Sequence, residues 1–318
     1  MLHAMRALAL TLFLSATPAL AEPSLLAPGA ALEKVHEDVA FGEGPAWNAK
    51  GGFLLFEDSN RNRILKLGAE GKVDVFRGPS GRSNGLAWDA QGRLVACEGH
   101  GEDGGRRVSR TEKDGKIVTL ADRYQGKRLN SPNDLAIDAK GRIYFTDPRY
   151  SKPETKELDR EAVYRIDPDG KLTRVVDSLT RPNGLVISRD GKTLYVADNA
   201  SPGGVVTLVA FDLDGKGDAR NGRVLYDFVS GRGIDGMTQD TEGRIWATAG
   251  TGDKAGVYVF QPDAKRTKAT VLTVVKTPED PTNVTFGGKD RKTLYITTAK
   301  SLFRIQTAVT GVSSPPGK

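Results

Sequence analysis

Short apolar runs alternate with polar, glycine-containing turns along most of the chain. In one unit, the apolar segment 85–88 is followed by the polar turn 89–93 and by a second apolar segment, 94–96. This order is typical of a β-hairpin. No long window after residue 40 has the periodicity of an amphipathic helix. The pattern therefore predicts an all-β fold.

The hairpin unit recurs six times, and such internal repetition is the signature of a repeat architecture. The copies begin at residues 44, 85, 134, 184, 236 and 284, which places them 41 to 52 residues apart. This spacing suits four-stranded propeller blades. The gaps are too short and too rich in glycine for the helices that a parallel α/β sheet requires. The sequence predicts a six-bladed β-propeller over residues 41–310.

The N-terminal residues have a different pattern. Residues 1–6 carry one positive charge, residues 7–14 are apolar, and Ala19-Leu20-Ala21 fits a small-x-small cleavage site. These are the parts of a secretory signal peptide, and the apolar run is too short to span a bilayer. Residues 1–21 are therefore predicted to be a signal peptide cleaved after Ala21. The mature protein is expected to be periplasmic or secreted.

Two further segments flank the predicted propeller. Residues 22–40 form a lead-in that is a candidate for the strand closing the ring, because an open sheet edge needs a partner. Residues 311–318 are expected to be a flexible tail. The single cysteine, Cys97, lies in an apolar strand pattern, and one thiol cannot form an internal disulfide.

Composition and charge narrow the class of protein. Hydrophobic residues make up 38% and charged residues 27% of the chain, as in an ordinary globular protein. The net charge is +6, but basic and acidic residues alternate and form no basic stripe. We therefore expect no nucleic-acid partner, no membrane partner and a monomer.

One polar position repeats at the start of the first strand of each blade. In a propeller this strand lines the central channel, so the repeated side chains would converge at its mouth. They are Glu43, Asn84, Asn133, Asn183, Asp235 and, with a looser alignment, Thr282.

Converging oxygen-bearing side chains predict a hard divalent cation, with Ca²⁺ preferred. Mg²⁺, Mn²⁺ or Zn²⁺ could also enter such a site, although the set lacks the His and Cys ligands typical of zinc. The alternative is that these residues only start turns. That alternative accounts for Asn84-Gly85 and Asn183-Gly184 but accounts poorly for Glu43.

Six segments resemble the gluconolactonase/senescence-marker-protein-30 family in its bacterial gluconolactonase branch. They are 41–47, 96–98, 127–134, 143–148, 181–185 and 233–237. The resemblance covers almost the whole mature chain. It implies a six-bladed propeller that hydrolyses a small lactone, and the lactone expected from the resemblance is a sugar lactone. It also implies one divalent cation held by Glu43, Asn133, Asn183 and Asp235.

The substrate contacts are less well defined by the resemblance. Animal members have an arginine two residues before the ligand that matches Asn133, whereas this chain has Ser131 there. Arg128 is the candidate to replace it. A related lactonase group uses a histidine pair, which this chain does not match, and His100 alone is a candidate to line the pocket. Asn84 and Tyr150 complete the predicted substrate-binding set.

The implied chemistry is polarisation of the lactone carbonyl by the cation and attack by water, with Asp235 as general base. The chain has no Gly-x-Ser-x-Gly motif, so a covalent acyl-enzyme is not expected. Two alternatives stay open. One is a phosphotriesterase-like hydrolase, and the other is a non-catalytic binding module stabilised by calcium.

Overall fold

The computed structural model of the protein describes residues 24–150, 156–200 and 205–313. The predicted signal peptide, 1–21, and the end of the predicted tail, 314–318, lie outside the described residues. The described residues form β-strands and two short 3₁₀ helices, Ser59–Arg61 and Gly252–Lys254. None of these helices is long or apolar enough to cross a membrane.

The strands form six four-stranded antiparallel sheets, the blades, and the first strand in the chain, β1 (Glu33–Glu37), belongs to the last of them. Blade 1 contains β2 (Gly42–Asn48), β3 (Phe53–Asp58), β4 (Arg63–Leu67) and β5 (Val73–Arg77), and blade 2 contains β6 (Ser83–Trp88), β7 (Leu94–Glu98), β8 (Arg107–Thr111) and β9 (Ile117–Ala121). The short hairpin of β10 (Arg123–Tyr124) and β11 (Lys127–Arg128) then leads into blade 3, which contains β12 (Leu135–Ile137), β13 (Ile143–Asp147), β14 (Ala162–Ile166) and β15 (Leu172–Val176).

The second half of the chain repeats the same arrangement. Blade 4 contains β16 (Pro182–Ile187), β17 (Thr193–Asn199), β18 (Val206–Leu213) and β19 (Ala219–Asp227), and blade 5 contains β20 (Ile234–Gln239), β21 (Ile245–Ala249), β22 (Gly256–Pro262) and β23 (Ala269–Lys276). Blade 6 contains β24 (Pro281–Gly287), β25 (Thr293–Thr298) and β26 (Ser301–Gln306), with β1 as its outer strand.

The innermost strands of the blades form a closed ring around the channel. Strand β2 packs against β6 and β24, β12 packs against β6 and β16, and β20 packs against β16 and β24. The core lies between adjacent sheets, because alternate residues of each strand face the neighbouring blade. This arrangement confirms the predicted six-bladed β-propeller.

Blade 6 joins the two ends of the chain. Strand β1 pairs antiparallel with β26, and the Arg304 guanidinium donates two hydrogen bonds of 2.8 Å to the Glu33 carboxylate. Leu302, also on β26, is fully buried in a cluster that includes Leu54 and Phe56 of blade 1. The junction between the last and first blades is therefore held by both strand pairing and apolar packing.

The start of the predicted tail is ordered, which differs from the expectation of a flexible segment over 311–318. The Gly311 N–H donates to the Arg291 carbonyl at 2.8 Å, and the Val312 N–H donates to the Gln239 carbonyl at 2.9 Å. Val312 and Ser313 also line a small cavity of about 130 Å³ in the channel. The backbone groups of this segment find partners on the propeller, which holds it in place.

We expect Leu302→Ala to lower the free energy of unfolding by about 2–5 kcal/mol, because it leaves a cavity where the first and last blades meet. Leu272, which is 42% exposed on β23, provides the matched control. Leu272→Ala should change stability by about 0.5 kcal/mol or less. Urea denaturation of both variants checks this. Equal losses would show that the junction cluster contributes no special stability.

Candidate active site

A cavity of about 840 Å³ opens at the mouth of the channel. It is the place where the starts of the inner strands converge. Seven of the eight predicted site residues line it: Glu43, Asn84, His100, Asn133, Tyr150, Asn183 and Asp235. The structure therefore brings all four candidate cation ligands to one cavity, together with three of the four candidate substrate contacts.

The repeated polar position has a local structural cause. In most blades it is the second residue of the inner strand, and the pairing register with the next strand shifts just after it. Such bulges aim a side chain away from the regular ladder. A glycine follows, and at Gly44 a Cβ would come within 1.8 Å of the Asn84 carbonyl oxygen. At Gly184 it would come within 2.1 Å of the Asp235 carbonyl oxygen.

These glycines let neighbouring inner strands approach until their backbones touch. The Gly85 N–H donates to the Asn133 carbonyl of the next blade at 2.7 Å. The polar–glycine pair therefore does two things in this fold. The polar residue presents its side chain to the cavity, and the glycine admits the next blade.

The carboxyl group of Glu43 is shielded from water. Only 2% of the residue is exposed. Within the described part of the chain, its carboxylate accepts one long hydrogen bond, from the Gly44 N–H at 3.4 Å. Burial raises the pKa of Glu43 well above its usual range, and the nearby carboxylates of Asp235 and Asp134 raise it further. A charged Glu43 needs a cation beside it.

Asp235 is held from two sides. Asn183 Nδ2 donates to Asp235 Oδ1 at 2.8 Å, and the Arg232 guanidinium pairs with Asp235 Oδ2. Arg232 is fixed in turn by donating to the Pro281 carbonyl at 2.6 Å. Two donors thus orient the carboxylate that was predicted to act as the base.

The residues present fit a divalent cation. Glu43, Asn133, Asn183 and Asp235 offer only carboxylate and carboxamide oxygens, which hard cations such as Ca²⁺ prefer. Arg232 pairs with Asp235, and the effect of its charge on the pKa of Glu43 is outweighed by burial and by the carboxylates of Asp235 and Asp134, so a charged Glu43 would need a further cation. Among the described residues, no group of three or more His, Cys, Asp or Glu side chains could hold a metal. The carboxamides would therefore have to complete the ligand set.

Tyr150 forms part of the cavity wall. The residue is 47% exposed, but its hydroxyl has Asn183 and Asn199 as hydrogen-bonding partners. Loss of water around that hydroxyl raises the pKa of Tyr150, and the Asp235 charge raises it further. The Arg181 guanidinium carbon lies 5.2 Å from the ring centre, which holds the ring in place. Tyr150 is thus a neutral hydroxyl beside the candidate cation ligands.

Ser131 forms a hydrogen bond within the cavity wall. Its hydroxyl accepts a hydrogen bond of 2.9 Å from the His100 N–H. This contact joins blade 2 to the segment that carries Asn133. Both Ser131 and His100 line the cavity.

Arg128 is placed differently from the sequence-based prediction. It ends the β10–β11 hairpin, its backbone N–H donates to the Glu157 carboxylate at 2.8 Å, and it does not line the cavity. Arg128 lies in the hairpin before the bend at Asn130, so proximity to Asn133 in sequence does not bring its side chain to the mouth of the channel. Arg82 and Arg232 are the arginines that line it.

Three buried aspartates, which the sequence analysis did not single out, hold the segments that carry the ligands. Each lies at or next to the end of the second strand of its blade, and its carboxylate accepts backbone N–H groups two or three residues before a candidate ligand. Asp58 accepts from Ala40 and Phe41, Asp147 accepts from Asn130 and Ser131, and Asp198 accepts from Thr180 and Arg181, all over 2.7–3.3 Å.

These anchoring aspartates leave a sequence signal. Each follows its ligand by fourteen or fifteen residues, from Glu43 to Asp58, from Asn133 to Asp147 and from Asn183 to Asp198. Blade 5 has Ala249 at the end of its second strand and braces its ligand with Arg232 instead. Aligning the second strands of the repeats would have revealed the set.

A second layer of buried charge lies between blades 1 and 2. Glu57 is fully buried, and the Ser83 hydroxyl donates to it. Burial raises the pKa of Glu57 to about 8, although the Ser83 hydrogen bond and the Arg77 charge act in the opposite direction. Glu98, also buried, pairs with Arg77 and Arg107 at 2.7 Å. Ser83 directly precedes Asn84, so this layer supports the wall of the cavity.

The fold and the site together define a class: a six-bladed propeller with an oxygen-rich, cation-compatible cavity at the mouth of its channel. The family described as the SMP-30/Gluconolactonase/LRE-like region matches residues 41–300 of the chain. The chain belongs to this family, which confirms the family resemblance found in the sequence.

Individual relatives agree with this assignment. A gluconolactonase of Zymomonas mobilis is 32% identical over 308 residues, which cover 88% of this chain and 82% of the relative. Regucalcin of Gallus gallus is 30% identical over 266 residues, covering 81% of this chain and 83% of the relative. The solved structure of a gluconolactonase from Xanthomonas campestris is 35% identical and superposes with a TM-score of 0.78, covering 89% of this chain and 91% of the other.

We expect Asp147→Ala to weaken binding of a divalent cation by about 10–100-fold, because the segment carrying Asn133 loses its anchor. Asp138 is the matched control. It is a buried aspartate of the same blade that accepts from the backbones of Lys140 and Arg142, in a turn outside the cavity lining. Asp138→Ala should cost stability but leave cation affinity unchanged. Isothermal titration with Ca²⁺ would contradict the anchoring role if both variants behaved alike.

Glu57 should make stability fall as pH rises. Its folded-state pKa of about 8 lies above the ordinary value of 4.5, so the folded state holds a proton that the unfolded state releases between these values. The Glu57 contribution to stability is complete below the unfolded value and is lost as pH approaches 8. Across pH 5.5–7.5, Glu57→Gln should remove about 1.4 kcal/mol per pH unit of this decline. Denaturant unfolding at several pH values measures it, and identical slopes would refute the prediction.

Proposed function

We propose that the cavity hydrolyses a small sugar lactone with the help of one divalent cation. The protein is a lactonase of the SMP-30 family, as its similarity to gluconolactonases indicates. The observation that carries the finer proposal is the convergence of two carboxylates and two carboxamides in one cavity, with Asn183 and Asp235 in direct contact at 2.8 Å.

The cation would be held by Glu43, Asn133, Asn183 and Asp235, and we propose Ca²⁺ because all the donors are oxygens. When bound, it would supply a Lewis acid for the carbonyl oxygen of the lactone.

The chain's own residues supply the proton transfers. Asp235, oriented by Asn183 and Arg232, takes a proton from the water whose oxygen adds to the carbonyl carbon. The bond from that carbon to the ring oxygen then breaks, and the same proton passes to the ring oxygen. The product is the open hydroxy acid, so atoms and charge balance.

Other cavity residues bind and orient the substrate. Asn84, His100 and Tyr150 line the walls around Asp235 and present polar groups to ring hydroxyls. The Cys97 thiol is fully buried and burial raises its pKa well above the ordinary value, so it is not a nucleophile here. Export to the periplasm or the medium belongs to the same proposal and is supported by the pattern of residues 1–21.

The test is hydrolysis of glucono-1,5-lactone by cation-stripped protein with single divalent ions added back. We expect Ca²⁺ or another divalent ion to restore activity, and Asp235→Asn to lower kcat/KM about 100-fold or more, because its amide cannot accept the proton. Asp263→Asn, in a turn of blade 5 outside the cavity lining, is the matched control and should retain full activity.

Three outcomes would contradict this proposal. Full activity in the presence of a strong chelator would remove the cation from the mechanism. Full activity of Asp235→Asn would remove its role as the base. Absence of hydrolysis across a panel of lactones would instead favour a phosphotriesterase-like enzyme or a binding module.

A further inference from the structure

The cavity has two chemically different walls. The wall from blade 2 carries polar groups, including Arg82, Asn84 and His100. The wall from the ends of blades 3 and 4 and the loop after β19 also has polar members, such as Asn199 and Ser230, but it carries four apolar or aromatic side chains, Tyr150, Ala200, Val206 and Val229, which make it the apolar wall. Asp235 lines the same cavity as both walls. A fully hydroxylated ring would leave the apolar wall without a matching surface.

Val229 is the most informative residue of the apolar wall. It is 86% exposed, although burial is the favoured state of a valine. Its φ is 62°, a backbone conformation that β-branched residues rarely adopt. An exposed valine in a strained conformation gains nothing for the folded chain alone, and such strain concentrates at functional sites.

The loop that carries Val229 is held firmly. The Val229 N–H donates to Asp227 Oδ1 at 2.7 Å, and the Phe228 N–H donates to the Val206 carbonyl at 3.0 Å. The Phe228 ring packs edge-on against Tyr226, Tyr258 and Phe260. These contacts fix the backbone that leads into the strained residue, and Val229 lines the cavity.

The size of the cavity agrees with a substrate larger than one sugar ring. Its volume of about 840 Å³ is near the top of the range of roughly 300–1,000 Å³ for pockets that enclose drug-sized ligands. A single small lactone would fill only part of it. The space beside Val206 and Val229 would then hold water against apolar side chains, which is unfavourable.

We propose that the substrate is an amphipathic lactone with an aryl or alkyl substituent that packs against Tyr150, Ala200, Val206 and Val229. Its ring and polar groups face Asp235 and the wall that carries Arg82 and His100. This inference rests on the proposed lactonase function and names the class of lactone that the same site takes.

A matched pair of substrates tests the inference: glucono-1,5-lactone and its 6-O-benzyl ether, which differ only by the apolar group. We expect kcat/KM for the benzyl ether to exceed that for the parent lactone by about tenfold or more. Val229→Asn should reduce this ratio at least about threefold, mainly through KM for the benzyl ether.

The variant is chosen so that folding does not obscure the result. Asparagine adopts positive φ more readily than valine, so Val229→Asn should melt at the same or a higher temperature than the wild type. Val224, 53% exposed on β19 and outside the cavity lining, is the control. Val224→Asn should leave the substrate ratio unchanged.

The outcomes separate this inference from the function on which it rests. Hydrolysis of the parent lactone with no preference for the benzyl ether, or an unchanged ratio in Val229→Asn, would overturn the inference and leave the lactonase function standing. Failure to open either lactone with any added divalent ion would overturn both.

Discussion

The close approach of the six inner strands around the channel is the constraint on which the rest of the structure depends. Adjacent strands come near enough for the Gly85 N–H to bond the Asn133 carbonyl, and a side chain at Gly44 or Gly184 would collide with the neighbouring blade. Each glycine is preceded by the polar residue that faces the cavity. Ring closure and site assembly therefore depend on the same two-residue unit.

This closeness also creates the electrostatic problem of the site. Glu43 and Asp134 are buried near Asp235, and burial with mutual repulsion raises the pKa of Glu43 and brings that of Asp134 to about 7. One guanidinium, that of Arg232, lies against Asp235. A cluster that destabilises its own charged state in this way gains stability from a bound cation, so cation binding and folding would reinforce each other.

The repeat in the sequence was enough to predict the six blades and five of the residues that line the cavity: Glu43, Asn84, Asn133, Asn183 and Asp235. His100 and Tyr150, which also line it, are not members of the repeat. The predicted substrate contact of Arg128 was wrong, because closeness to Asn133 in the sequence does not determine where the Arg128 side chain lies. Asp58, Asp147 and Asp198 were missed because their partners are backbone N–H groups. Such partners have no residue type to recognise. The regular spacing of these aspartates from the candidate ligands was the signal that the sequence offered, and the fold shows which backbone groups they reach.

Blade 6 shows how ring closure competes with chemistry for the repeated position. Thr282 occupies that position, but its hydroxyl donates to the Gly42 carbonyl of blade 1 at 2.5 Å, and its own carbonyl accepts from Thr248 of blade 5 at 2.8 Å. No described residue of blade 6 lines the cavity. The chain enters blade 1 from β1, and β1 is joined to the other three strands of blade 6 only by noncovalent contacts, so this blade has to be closed without a continuous chain. A short hydroxyl that bridges the two blades serves that junction better than a longer side chain directed at the cavity.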